Sequence, residues 1–165
     1  MVKNIFIIRH AEANSATKAM INDIDRTLSA DGIKDATKMG ECLKNKNVKF
    51  DKIITSSASR AVHTGVIIAR QTGFDVKVIS VCEELYLASV DKIIEKLQNS
   101  EEKYTTVGLV AHNPGVTEFA YLTEQFINVK TCGVLHYQTD IENWKDLKIG
   151  NLNFKSYICS EVLSV

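Results

Sequence analysis

Short apolar runs alternate with segments of helical periodicity along this chain, and that alternation constrains the fold more than any other feature of the sequence. Ile5–Ile8 reads as a short buried strand. Ser29 then caps a helix with Ile33, Ala36, Gly40 and Leu43 along one face. Lys52–Thr55 follows as a strand. Ser57 caps a second helix through Gln71, with Ala61, Gly65, Ile68 and Ala69 inward and Gly73 at its C-terminal end. Val76–Val81 reads as a third strand, and Ser89 caps a helix whose Val90, Ile93, Ile94 and Leu97 recur at i, i+3, i+4 and i+7. Thr105–Ala111 is apolar enough to be a central strand. Asn113-Pro114 marks a helix start, with Asn as cap and Pro at the first helical position, ahead of Val116, Phe119, Ala120 and Thr123. Gly133–Thr139 and Asn153–Ser160 read as two more strands, linked by a loop that contains Trp144. Strand–helix–strand units pair in parallel and need helices on both faces. The expected fold is therefore α/β, a three-layer α/β/α sandwich, with a mainly parallel sheet and an antiparallel edge strand.

No linker or repeat interrupts the pattern, so a single domain over residues 1–165 is expected, and 45% hydrophobic residues suffice for its core. Twenty basic and twenty acidic side chains sum to zero. That balance argues against nucleic acid or an anionic membrane as a partner held by overall charge. The first apolar run, Ile5–Ile8, is too short for a signal peptide or a membrane span, so a cytoplasmic monomer is expected. The four cysteines lie far apart with no C-x-x-C pair, which points to reduced thiols. His63 and His136 have no neighbour at metal-ligand spacing and read as structural or peripheral; no metal and no cofactor are expected.

In parallel α/β sheets ligands bind beyond the carboxyl ends of the strands. Here the first strand ends in Arg9-His10. The second runs through Thr55-Ser56 into a helix with Arg60 in its first turn, and the fourth ends at His112, directly before Asn113-Pro114. Two arginines and two histidines thus gather on one rim, beside helix N-termini that favour anions. Arginine forks fit phosphate oxygens. The pattern describes a pocket for a dianion that also contains imidazole, and it suggests phosphoryl transfer.

With these residues in view, the chain resembles the histidine phosphatase superfamily, with its phosphoglycerate-mutase-like fold, and within it the short SixA-type phosphohistidine phosphatases. Phe6-Ile7-Ile8-Arg9-His10-Ala11-Glu12-Ala13 looks like the family's opening arginine–histidine–glycine motif. Asp25–Gly32 resembles the next block, Ser56–Thr64 the second-arginine motif, and Glu83–Ser89 a SixA-type segment. Val110–Gly115 resembles the glycine–histidine–asparagine–proline block, and the five blocks stand in family order. Ala11 and Ala111 stand where the family usually has Gly, Ser57 where it often has Pro, and His63 where it often has Gln. A Gly-to-Ala exchange matters where the backbone needs a positive φ or a very close approach to phosphate.

The resemblance implies a metal-independent phosphatase that forms a phosphohistidine on His10. A neutral imidazole is a competent nucleophile near pH 7, and neighbouring cations favour that form. Arg9 and Arg60 would hold the non-bridging oxygens, His112 would complete the pocket, and Arg26 would reach its rim. Glu83, or alternatively Glu84, would be the proton donor. Tyr86 either lines the entrance or packs in the core. Taken singly, each residue also has an ordinary structural explanation: a strand-end histidine, a surface ion pair, a solvated acidic turn. The short length favours a phosphohistidine-bearing protein as substrate and a place in signal transduction. The alternatives are a small phosphomonoester, whose alcohol leaving group needs an acid, and a phosphate- or phosphoprotein-binding module without turnover.

Overall fold

Alternate residues of the central strands point to opposite faces, and this sorts the apolar side chains into two cores. The computed structural model describes residues 1–15 and 21–164. Its strands are β1 (Lys3–Arg9), β2 (Lys52–Ser56), β3 (Ser80–Cys82), β4 (Thr106–Ala111), β5 (Val134–Thr139) and β6 (Asn153–Ile158). They form one sheet in the order β3-β2-β4-β1-β5-β6. β1 to β4 run parallel; β5 is antiparallel to β1, and β6 pairs antiparallel with β5 at the edge. The helices are α1 (Ala30–Asn45), α2 (Ser59–Thr72), α3 (Val90–Gln98) and α4 (Gly115–Leu122). Ile5, Ile7, Val107 and Leu109 face α3 and α4, with Val90, Ile93, Val116 and Phe119 packed on them. Phe6, Ile8, Ile53 and Val110 face α1 and α2, with Ala36, Met39, Ala61 and Ile68 packed on them. The result is the three-layer α/β/α architecture, mostly parallel with an antiparallel part.

This topology decides where a ligand can sit. The chain leaves β1 through α1 on one face and leaves β4 through α4 on the other, while β1 and β4 are hydrogen-bonded neighbours. Connections that diverge from adjacent parallel strands open a crevice at their carboxyl ends. Arg9 pairs in register with Ala111, so His10 and His112 lie one step past the last rung.

Several local expectations hold. Ser29 and Ser89 cap α1 and α3, accepting from the Gly32 and Lys92 amides, and Gly73 ends α2 in the left-handed region at φ 77°. Others are corrected. In α1, Gly32, Ala36, Met39, Gly40 and Leu43 face inward while Ile33 is exposed, because Gly32 is pressed against the Glu12 carbonyl where no side chain fits. α2 begins at Ser59 with Ala58 as its N-cap; the buried Ser57 hydroxyl has no partner, and Ser56 Oγ accepts from Ala58 N instead. Val76–Val78 forms a 3-10 turn rather than a strand, since the Asp75 side chain accepts from Lys77 N, and β3 shrinks to Ser80–Cys82. α4 begins at Gly115, one residue after Pro114, and Asn113 Oδ1 accepts from Thr117 N and Oγ1. Thr123 is its C-cap residue, half-buried, with Oγ1 bonded to the Phe119 and Ala120 carbonyls.

All four cysteines are free thiols, Cys132 and Cys159 buried, Cys42 and Cys82 half-buried. No helix among the described residues is long and apolar enough to cross a membrane.

Candidate active site

His10 is held by its backbone on both sides: its N–H donates to the Ala111 carbonyl at 3.1 Å, and its own carbonyl accepts from Cys132 N at 3.0 Å. The ring nitrogen Nδ1 lies 2.7 Å from the Ala11 carbonyl. A carbonyl can only accept, so Nδ1 carries the proton and Nε2 presents a lone pair. Arg60 Nε donates toward that lone pair at 3.3 Å. Burial, and then the charges of Arg60, Arg9 and Arg26, push His10 down to about 4, which keeps the imidazole neutral at physiological pH.

His112 sits with its ring centre 5.0 Å from that of His10. Its Nε2 is 2.7 Å from Ser56 Oγ. Because Ser56 Oγ already accepts from Ala58 N, the hydroxyl proton is free to go to Nε2. That leaves Nδ1, buried and without a protein partner, as the remaining donor. Burial lowers His112 to about 3, with His10 and Arg60 contributing.

Arg60, in the first turn of α2, is buried. Its Nη1 donates to the Asp23 carbonyl at 2.6 Å and its Nη2 to Asp23 Oδ2 at 3.0 Å. Asp23 also accepts from Arg26 Nη1 at 3.0 Å and from the Tyr86 hydroxyl. Those bonds, Tyr86 first, hold the Asp23 carboxyl far below the usual carboxylate range. Arg9 reaches from β1 to donate to the Val129 carbonyl at 2.9 Å, leaving its Nε buried and unpartnered. Thr64 ties α2 to the end of β1: its hydroxyl accepts from Ala11 N at 3.0 Å and donates to the Arg60 carbonyl.

Arg9, His10, Arg26, Arg60 and His112 line one cavity of about 420 Å³, within the size range of small-ligand sites. Five of the residues singled out from the sequence are thus together. Glu83 and Glu84 are not among its lining residues. Both are exposed on a 3-10 turn that buries Leu85 instead, and Glu84 pairs with Lys96. Glu12 and Asp23 also line the cavity, two carboxylates with no site signal of their own in the sequence. Tyr86 is not among the lining residues and packs edge-on against His112, ring centres 5.6 Å apart. His63 is exposed on α2, and His136 stacks on Phe6 and bonds to Asn4, away from the cavity. Ala11 and Ala111 are buried and neither has a positive φ, so the backbone angle at these positions does not call for glycine. Among the described residues no group of three or more His, Cys, Asp or Glu could hold a metal ion.

The family model of the histidine phosphatase superfamily (branch 1) matches residues 5–106, more than half of the chain. The chain belongs to the histidine phosphatase superfamily. Among curated relatives of this superfamily member, a broad-specificity phosphatase of Saccharomyces cerevisiae is 29% identical over 105 residues, 61% of this chain and 44% of the yeast protein. The chain spans about half the length of the first curated relatives it matches. Among solved structures, a SixA protein of Nakamurella multipartitia superimposes with a TM-score of 0.81 at 22% identity, covering 96% of both chains. A SixA protein histidine phosphatase in complex with tungstate gives 0.80 at 23% identity, over 97% of this chain and 99% of that one. These likenesses establish the fold, and the superfamily supports phosphatase activity.

Proposed function

We propose that this histidine phosphatase domain, spanning residues 1–165, removes a phosphoryl group through a phosphohistidine on His10, without a metal or cofactor, and that its preferred substrate is phosphohistidine on another protein. The observation that supports this reading most is the His10 ring itself. Its Nδ1–H is anchored on the Ala11 carbonyl and its Nε2 lone pair faces a cavity that Arg9, Arg60 and His112 also line.

Arg9, Arg60 and His112 hold the three non-bridging oxygens. Arg60 Nε, which rests on Nε2 in the free enzyme, turns its proton to an oxygen as phosphate enters, and so frees the lone pair. Nε2 attacks phosphorus in line with the leaving group; the P–Nε2 bond forms as the bond to the leaving group breaks. A transition state of this kind needs mainly positioning and charge stabilisation, which fixed guanidinium donors supply. Water then attacks the phosphohistidine, releasing inorganic phosphate and returning His10 to its neutral form. The leaving imidazole of a phosphohistidine can bring its own proton on its second ring nitrogen, so this substrate needs no carboxylic acid from the enzyme. That fits a site in which Glu83 and Glu84 stand outside the cavity.

Labelling with a small phosphodonor and quenching tests the reading. An acid-labile, base-stable adduct on the wild type that is lost in His10→Ala is the expected result. Normal turnover in His10→Ala would refute it. A second reading, a small phosphomonoester as substrate, is favoured by Glu12, a carboxylate that does line the cavity. In that case Glu12→Gln slows ester hydrolysis far more than phosphoramidate hydrolysis. Binding of phosphate without any hydrolysis is the outcome for a non-catalytic module, whose sequence motive weakens now that Ala11 and Ala111 occupy ordinary backbone.

A further inference from the structure

A guanidinium can be buried only if its charge is matched and its donors are used. The Arg60 side chain is 3% exposed and points its Nε at His10. Of its five N–H groups, three have protein partners: His10 Nε2, the Asp23 carbonyl and Asp23 Oδ2. One N–H on each terminal nitrogen remains for phosphate. Asp23 therefore grips both terminal nitrogens at once, with its backbone through one and its carboxylate through the other. Its second carboxylate oxygen takes Arg26, and Tyr86 donates to the first. The ring of Tyr86 also lies 5.9 Å from the Arg60 guanidinium carbon and edge-on to His112. Arg9, by contrast, is anchored by a single carbonyl.

Resting on the phosphatase reading above, we propose that Asp23 is a positioning residue, which clamps Arg60 from the cavity wall so that its Nε stays aimed at the His10 side of the phosphate site and its two free N–H groups converge on the phosphoryl oxygens. The clamp works through direction as much as through charge. Without it, the guanidinium can rotate about its last bonds, and a bidentate donor pair that is a few tenths of an ångström or some tens of degrees out of place loses most of its value in a transition state. The opposite role is a definite rival: a carboxylate on Arg60 could act as an internal substitute for phosphate and compete with it. The two roles predict opposite signs.

Tungstate binding by isothermal titration to the full chain separates them, using the wild type, Asp23→Ala, Asp23→Asn and Arg60→Ala, and the double variant Asp23→Ala/Arg60→Ala. The clamp predicts tungstate affinity lowered on the order of 10-fold in Asp23→Ala and less in Asp23→Asn, because both keep the backbone carbonyl but only Asn keeps a side-chain acceptor oxygen. It also predicts that Asp23→Ala adds less than about 2-fold once Arg60 is gone, because the effect passes through Arg60. Should Asp23→Ala fail to fold, the Asn variant carries the same sign. Tighter or unchanged tungstate binding in both Asp23 variants overturns the proposal, as does an equal loss with and without Arg60, which is what general destabilisation gives. A wild type that forms a phosphoenzyme but binds tungstate independently of Asp23 overturns the clamp alone. A wild type that binds tungstate through Asp23 but never becomes phosphorylated overturns the catalytic reading alone, and one that does neither overturns both.

Discussion

Replacing His10 by Asn should flatten the acid dependence of this protein's stability. In the folded protein, burial and three guanidinium groups lower His10 to about 4 from an ordinary value of 6.5. As pH falls below that ordinary value, the unfolded chain takes up a proton on this ring while the folded protein does not, so stability drains away through the window between about 6.5 and 4. Above that window both states are neutral and the group contributes no slope. Worked through, the loss from His10 alone between pH 7.5 and pH 5 is ~2 kcal/mol, close to 1.4 kcal/mol for each fully developed pH unit. Asn keeps an N–H where Nδ1 stands, so the bond to the Ala11 carbonyl survives. Urea unfolding of the wild type and His10→Asn at the two pH values gives the difference directly. His112, lowered to about 3 first by burial and next by His10, loses that second share in the variant but burial still holds it down, so its contribution largely cancels, and Asp23, whose carboxyl is depressed, loses its share only at more acid pH. Equal losses of stability on acidification in the two proteins would show that the ring is not held neutral, and the argument for an unprotonated nucleophile would go with it.

Two further substitutions probe the frame around the site. Thr64→Val strips the buried Ala11 amide of the hydroxyl it donates to and should cost about 1–3 kcal/mol in a urea titration, while Thr64→Ser stays near the wild type. Gly115→Ala places a methyl group 2.2 Å from the Ala88 carbonyl oxygen, backbone against backbone, so α4 must shift from the cavity rim. A loss of about 1–3 kcal/mol is expected there by thermal unfolding, against no change in Gly150→Ala, where the added methyl meets nothing within 4 Å.

The sheet and the basic cluster were legible because both follow from local rules. Short continuous apolar runs mark buried strands, Ser29 and Ser89 announce helices, and strand ends in an α/β sheet face the ligand. The misreadings have equally local causes. Val76–Val81 has strand composition, but one Asx bond from Asp75 folds its first half into a turn. Glu83 and Glu84 follow a strand end and so suggest a rim. The 3-10 turn that holds them directs Leu85 inward and leaves both carboxylates in solvent. Asp23 could not be read at all. Its importance lies in Arg60, 37 residues away, and in Tyr86, 63 residues away, and no spacing rule encodes a contact between a loop and a distant helix.

The pairing of β1 with β4 has a consequence for how such a protein can change over time. The two imidazoles are mounted on strands whose mutual placement is fixed by a ladder of backbone bonds, which no side-chain exchange alters. Leu87 and Thr131, which also border the cavity, sit on connecting segments. Mutation can thus remodel the surroundings of the departing group while the machinery that grasps phosphorus keeps its geometry, so new substrates are reachable by small steps without passing through an inert ancestor.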